Sequence, residues 1–157
     1  MNWLEQLVRE FYEVQGCWVQ TNVRFGPTAH GGYSGEADVL AYEPQERILT
    51  HVETSEGADS WKRRKAIFQR KFDRAAPYYK EMFPVPIERV ERIAIAGWSL
   101  NPPKIEIPGV EILKAGQFAQ QVMSVVAEKY SGGAAPPEKY PLLRTLYLAM
   151  RFLPKRR

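Results

Sequence analysis

The order of secondary-structure signals predicts an α/β protein with a central mixed β-sheet flanked by helices, in the order αβββαβ followed by C-terminal helices. Three observations lead there. Two apolar-rich segments, "EADVLAY" and "RILTHVET", are separated by the turn "EPQE" and read as a hairpin. A long cation-rich helix then crosses to a further strand, "RVERIAIAG". Two amphipathic helices follow, at "AGQFAQQVMSVVAEKY" and "YPLLRTLYLAMRFL".

Each element has its own signal. Over residues 3–15, Leu4, Leu7, Val8, Phe11 and Gln15 recur at helical spacing, and Gly16 stops the helix. "CWVQTNVRF" alternates as a strand, and "FGPTAHGGYSG" is a loop dense in Gly and Pro. Asp59 is placed to cap the basic helix, which Pro77 must kink or divide. "GVEIL" is a short strand, and "WSLNPPKIEIPG" is a Pro-rich loop whose Trp98 is either a stacking platform for a base or a core residue. The expected division is an α/β domain over residues 1–130, a flexible link over 131–137, and a terminal helix over 138–157. The apolar Leu142, Leu143, Leu146, Tyr147, Met150 and Leu153 pack that helix either onto the sheet or into a homodimer contact.

Composition bounds the rest. The chain has 157 residues, 45% apolar and 25% charged, which suits one globular domain with a real core. "MNWLEQLVRE" carries charge too early for a signal peptide, and no apolar run reaches the ~20 residues of a membrane span. The single Cys17 excludes an internal disulfide and fits a reducing cytoplasm. Neither Cys17 nor His30 and His51 has neighbours at zinc spacing. Net charge is +4, but between Asp59 and Lys80 eight cations oppose two acids, leaving +6 on one helix. Such a stripe serves either a phosphate backbone or a solvated face.

One stretch carries chemistry. In "GEADVLAYEPQERILTHVETSEG" an acid, Asp38, enters one strand, and a second, Glu53, stands near the end of the next. With a helix bearing Glu5, then Gly16 and a strand before it, this pattern resembles the PD-(D/E)xK nuclease superfamily, in its Holliday junction resolvase-like and restriction endonuclease-like branches. Ala37-Asp38 stands at the "PD" position without the proline, and Glu53-Thr54-Ser55 at "(D/E)xK" with serine in place of lysine. The resemblance implies a restriction endonuclease-like core and a DNA endonuclease dependent on Mg²⁺ (or Mn²⁺). Its alternative is a catalytically inactive nuclease-fold module that binds DNA or protein.

The residues give the pairing a physical reason. Asp38 and Glu53 come side by side at hairpin ends, where two carboxylates repel unless a cation lies between them. A hard divalent ion does this, with the Thr54 carbonyl as a further ligand; the other reading is two strand-end acids facing solvent. Glu5 falls about 100° from the buried stripe of its helix and is an outer helper. Glu36 is a rival third acid, whereas Glu10 and Glu13 point to solvent. His51, on the Glu53 face, reads as a packed, hydrogen-bonded histidine.

Ser55 leaves the site without its lysine. On the basic helix Trp61, Phe68, Phe72 and Tyr79 form an apolar stripe, and Lys65 falls inside it. In several branches of the superfamily the lysine has moved to this helix. Lys65 is therefore the candidate replacement, against the reading that it snorkels to water. Gln69, one turn on, is expected near the same pocket. Lys62, Arg63, Arg64, Arg70 and the loop "HGGYSG" are the expected contacts to DNA, with Arg63, Arg70 and Arg74 on the outward side.

Overall fold

The computed structural model describes residues 1–57, 59–97 and 106–152. The chain opens with α1 (Trp3–Val14), followed by β1 (Trp18–Pro27), β2 (Tyr33–Glu43) and β3 (Ile48–Ser55). The basic helix α2 (Trp61–Ala75) leads through a 3₁₀ turn (Ala76–Tyr78) into α3 (Tyr79–Met82). Then come β4 (Arg89–Ala96), β5 (Glu111–Lys114), α4 (Ala115–Lys129) and α5 (Pro141–Phe152). The expected α/β architecture is present, and Pro77 divides the basic helix as anticipated. The helix cap is Ser60, whose hydroxyl accepts from the Arg63 amide, while Asp59 pairs with the Arg63 guanidinium at 3.3 Å. Trp98 lies outside the described residues.

The five strands lie in sequence order, β1 to β3 antiparallel and β3 to β5 parallel. Alternation along the strands sends side chains to two cores. Val39, Val52, Ile95 and Leu113 meet α1, α4 and α5 on one face. On the other face Leu40, Tyr42 and Leu49 meet the end of α2 and α3, and Ala94 and Ala96 meet Phe68 and Phe72. Asp38, His51 and Glu53 fall by parity on this second face, under α2.

Strand pairing ends where those acids begin. The last β2–β3 pair is Val39 with Val52; beyond it β2 stays with β1 as far as Tyr33, and β3 stays with β4 as far as Ser55. The sheet therefore forks. Asp38 and Glu53 are the first residues on the two arms, in the middle of the sheet and not at its edge.

The other face carries a correction. Glu10, expected in solvent, is only 2% exposed. Its Oε2 accepts from the amides of Leu142 and Leu143, both at 3.0 Å, and its Oε1 accepts from Gln6 Nε2 at 3.0 Å. Those amides are orphan donors at the start of α5, whose first residue is Pro141. A carboxylate on α1 thus supplies the cap that a local residue ordinarily gives. It also suits the positive end of the helix dipole. Leu143 and Tyr147 then bury against α1 and α4. Glu13 is half-buried and pairs with Arg9 at 2.8 Å.

Glu10→Ala is expected to lower unfolding free energy by about 1–3 kcal/mol, the cost of leaving buried donors unmet. Glu13→Ala, which breaks an i,i+4 surface pair, should cost at most about 0.5 kcal/mol. Urea titrations of both variants check this; equal midpoints would refute the capping role.

Candidate functional site

The site is built from three elements around the fork. Asp38 comes from β2, Glu53 from β3, and the cation between them from α2. That cation is Lys71. Its Nζ donates to Asp38 Oδ1 at 2.7 Å and is in ion-pair contact with Glu53 Oε2. The second oxygen of Asp38 accepts from the Thr54 amide at 2.8 Å and from the Thr54 hydroxyl at 3.3 Å. Asp38 thereby takes a backbone donor freed where β2 and β3 separate.

Lys65, the expected lysine, does not join this pair. Taking Phe68 as the centre of the buried side of an ideal helix, Lys65 lies about 60° to one flank and Lys71 about 60° to the other. The spacing treats them alike; the sheet decides. Trp61, on the Lys65 flank, packs with Ile107, Val110 and Ile112 towards β5. Ala75, on the Lys71 flank, packs with Leu40 and Leu49 of β2 and β3. The fork is on the Lys71 side.

Burial sets the electrostatics. Glu53 is fully buried. Burial raises its pKa well above the usual carboxylate range, the Asp38 charge adds to this, and Lys71 opposes it. Burial pulls the Lys71 ammonium the other way, but Glu53 and Asp38 outweigh it and hold the pKa above its ordinary value. Behind Glu53 lies His51, also with no exposure. Its Nε2 is 2.7 Å from Glu53 Oε1 and its Nδ1 is 2.9 Å from the Tyr79 hydroxyl. Burial, with smaller effects from Lys71 and Arg92, lowers its pKa to about 3, although Asp38 pulls it up. A neutral imidazole satisfies the network by donating from Nε2 to the carboxylate and accepting the tyrosine proton at Nδ1. His51 is the packed, hydrogen-bonded histidine that its position on the strand suggested, and its ring meets Phe72 edge-on at 4.8 Å.

The other sequence candidates spread out. Glu5 belongs to a capping box: its Oε2 accepts from the Asn2 amide at 3.2 Å and its Oε1 from Asn2 Nδ2 at 2.9 Å. It begins α1, on the far face of the sheet from the acids, and does not reach them. Glu36 pairs with Arg24 at 3.4 Å. Arg64, expected to face DNA, is 4% exposed. Its guanidinium stacks over Trp61 at 5.2 Å and donates to the Gly97 carbonyl at 3.3 Å. It lies about 40° from Phe68 on the helix, which puts it inside. Lys62, Arg63, Gln69, Arg70 and Arg74 are exposed, so Gln69 faces solvent and not the carboxylates.

A cleft of about 320 Å³ opens beside the acids. Ser34, Glu36 and Ser55 line its strand side, and Ile67, Arg70, Lys71 and Arg74 its helix side. Ser55 shares the parity of Glu53, and it and Lys71 of α2 border one space.

The donor set fits a hard cation. Asp38 Oδ1 and Glu53 Oε2 already converge on one ammonium. Ser55 accepts from Gly97 on the β4 side, so the alternating backbone turns the Thr54 carbonyl, like its amide, towards the fork. Two carboxylates and one carbonyl are oxygen ligands of the kind a hard divalent cation takes. Among the described residues no group of three or more His, Cys, Asp or Glu side chains gathers as a metal site. No protein-family model, curated protein or solved structure matches the chain.

Stability distinguishes the two lysines. Lys71→Met leaves buried carboxylates uncompensated and is expected to cost about 3–5 kcal/mol at pH 7; Lys65→Met should cost under about 1 kcal/mol. Because the folded-state pKa of Glu53 is raised, the penalty in Lys71→Met should shrink as pH falls through that value and the carboxyl becomes neutral. Denaturant midpoints from pH 8 to pH 5 test the sign, and a penalty that grows in acid would refute it.

Proposed function

We propose that this protein is a metal-dependent phosphodiesterase of the PD-(D/E)xK kind that cleaves DNA. The observation that carries this reading is the convergence of Asp38, Glu53 and Lys71 at the fork of the sheet, with Lys71 and Thr54 also lining a cleft that Arg70 and Arg74 border. Acid, acid and cation are the three parts the motif requires, with the cation delivered by α2 in place of residue 55.

Roles follow from position. Asp38, Glu53 and the Thr54 carbonyl hold the metal. When bound, it lowers the pKa of a water and offsets charge on the phosphate. Lys71 moves off the carboxylates onto the substrate. Its Nζ lies at the end of a flexible stem and its side chain is 30% exposed, so that shift is made by rotamer changes. There a fixed ammonium stabilises charge that develops in the transition state. His51 holds Glu53 Oε1, leaving Oε2 for the cation. The outward cations Lys62, Arg63, Arg70 and Arg74 meet the nucleic-acid backbone.

One observation favours the second reading, a non-catalytic module that keeps the fold. Lys71 already bridges the two acids and offsets part of their charge, the place a metal would otherwise take. Calorimetric titration with Mg²⁺ and Mn²⁺ separates the two readings. Binding that disappears in Asp38→Ala supports the enzyme, and no binding with no cleavage of plasmid, branched or single-stranded DNA supports the module.

Asp38→Ala and Glu53→Ala are each expected to abolish metal-dependent cleavage. Lys71→Ala should lower the rate by about 10²–10³ while retaining metal binding, and Lys65→Ala should stay near wild type. Ser55→Lys placed in Lys71→Ala should restore cleavage, since both positions border one cleft. A Lys65→Ala variant as inactive as Lys71→Ala would show that the assignment of the cation is wrong.

A further inference from the structure

We propose that the cleft between β2 and α2 seats one unpaired nucleotide of a single strand, its phosphate on Arg70 and Arg74 and its base against Ile67 and Phe25. This deepens the nuclease reading and rests on it only for which phosphate reaches Lys71.

Recess comes first. Glu53 has no exposure and Asp38 is 8% exposed. A phosphodiester must therefore enter the cleft to meet the carboxylates, and cannot simply lie across the surface. Size comes next. At about 320 Å³ the space lies at the small end of ligand pockets. It admits one nucleotide, whereas a duplex keeps each backbone tied to a partner strand across a groove about 12 Å wide. Enzymes that act on recessed nucleotides take single strands or extrude the nucleotide, and pay the unstacking cost when it is paired.

The walls match a nucleotide in chemistry as well. Arg70 and Arg74 are one turn apart, so their stems project side by side along the rim. Arg74 is anchored by the Ser34 carbonyl at 3.4 Å. Arg70 has no ion-pair partner among the described residues, and Glu36, the acid across the cleft, is taken by Arg24. The rim therefore carries uncompensated positive charge. Beneath it the partly exposed Ile67 is the apolar wall for a base, backed by the edge of Phe25, which is 3% exposed. The Phe25 ring keeps its place because Gly35 carries no side chain; a Cβ there would come within 2.5 Å of Phe25 Cζ.

The test is fluorescence anisotropy with a labelled single strand of about 12 nucleotides and with the same sequence as a duplex. It is run in EDTA across a salt series, so that binding is read without cleavage. The single strand is expected to bind at least about 10-fold more tightly than the duplex. Arg70→Ala combined with Arg74→Ala should weaken single-strand binding about 10-fold or more and reduce its salt slope by about 0.7, the contribution of the one phosphate they share. Lys80→Ala with Lys129→Ala, which removes equal charge at exposed positions away from the cleft, should do less. Ile67→Trp keeps every charge but fills the cleft, and should weaken the single strand about as much as the arginine pair does. Thermal melts establish that each variant is folded.

Duplex binding as tight as single-strand binding, or unchanged affinity in a folded Ile67→Trp, would overturn the proposal while metal-dependent cleavage kept the nuclease reading. Single-strand binding with the expected mutant pattern but no cleavage in Mg²⁺ or Mn²⁺ would support the cleft and remove the nuclease reading. Binding of neither nucleic acid would overturn both.

Discussion

A fully buried carboxylate is the constraint around which this half of the molecule is arranged. Glu53 lies beneath α2 with no contact to water, and an isolated charge there would cost more than a domain can spare. Each neighbour answers that cost. Lys71 supplies the opposite charge, His51 a hydrogen bond, and Asp38 holds Lys71 from the other arm of the fork while its second oxygen ties down the Thr54 backbone. The position of α2 over the sheet is fixed by Phe68 and Phe72, but its rotation must also bring the Lys71 ammonium to the fork.

The fork itself follows from strand pairing. A continuous β2–β3 ladder would leave no gap for a ligand between the strands. Because β2 follows β1 and β3 follows β4 beyond Val39 and Val52, backbone groups of Thr54 are released where the side chains of Asp38 and Glu53 meet. A sheet that opens at its centre, beneath a cation-bearing helix, is a setting in which charged ligands can be held in low dielectric without breaking the cores on either side.

Much of this was legible in the sequence, for identifiable reasons. Period-two and period-3.6 patterns marked the strands and helices, and the hairpin register placed Asp38 opposite Glu53. What failed was rotation about helix axes. On α2, Lys65 and Lys71 lie at equal angles from the buried seam, and only the position of the fork, a tertiary fact, selects Lys71. Arg64 was read as exposed because it is charged, although its angle lies as far inward as that of Phe72. Glu10 was read as solvated because its partners, the amides of Leu142 and Leu143, are distant in sequence and carry no side-chain signature. Glu5 was read as a site helper when its spacing from Asn2 already spelled a capping box.

The link from Glu10 to α5 spans 132 positions, and this bears on how the protein is made. During synthesis α1 emerges well before α5, with an acid on the face that must pack against the sheet. Gln6 on the same helix meets one oxygen, but the donors to the other do not exist until Leu142 and Leu143 have been translated. At ribosomal speeds of about 5–20 residues per second the helix waits several seconds for them. Until then, docking α1 against the sheet would bury a carboxylate short of two of its hydrogen bonds. The acid on α1 is fully met only once α5 arrives, so these two helices, far apart in sequence, complete one face of the sheet together.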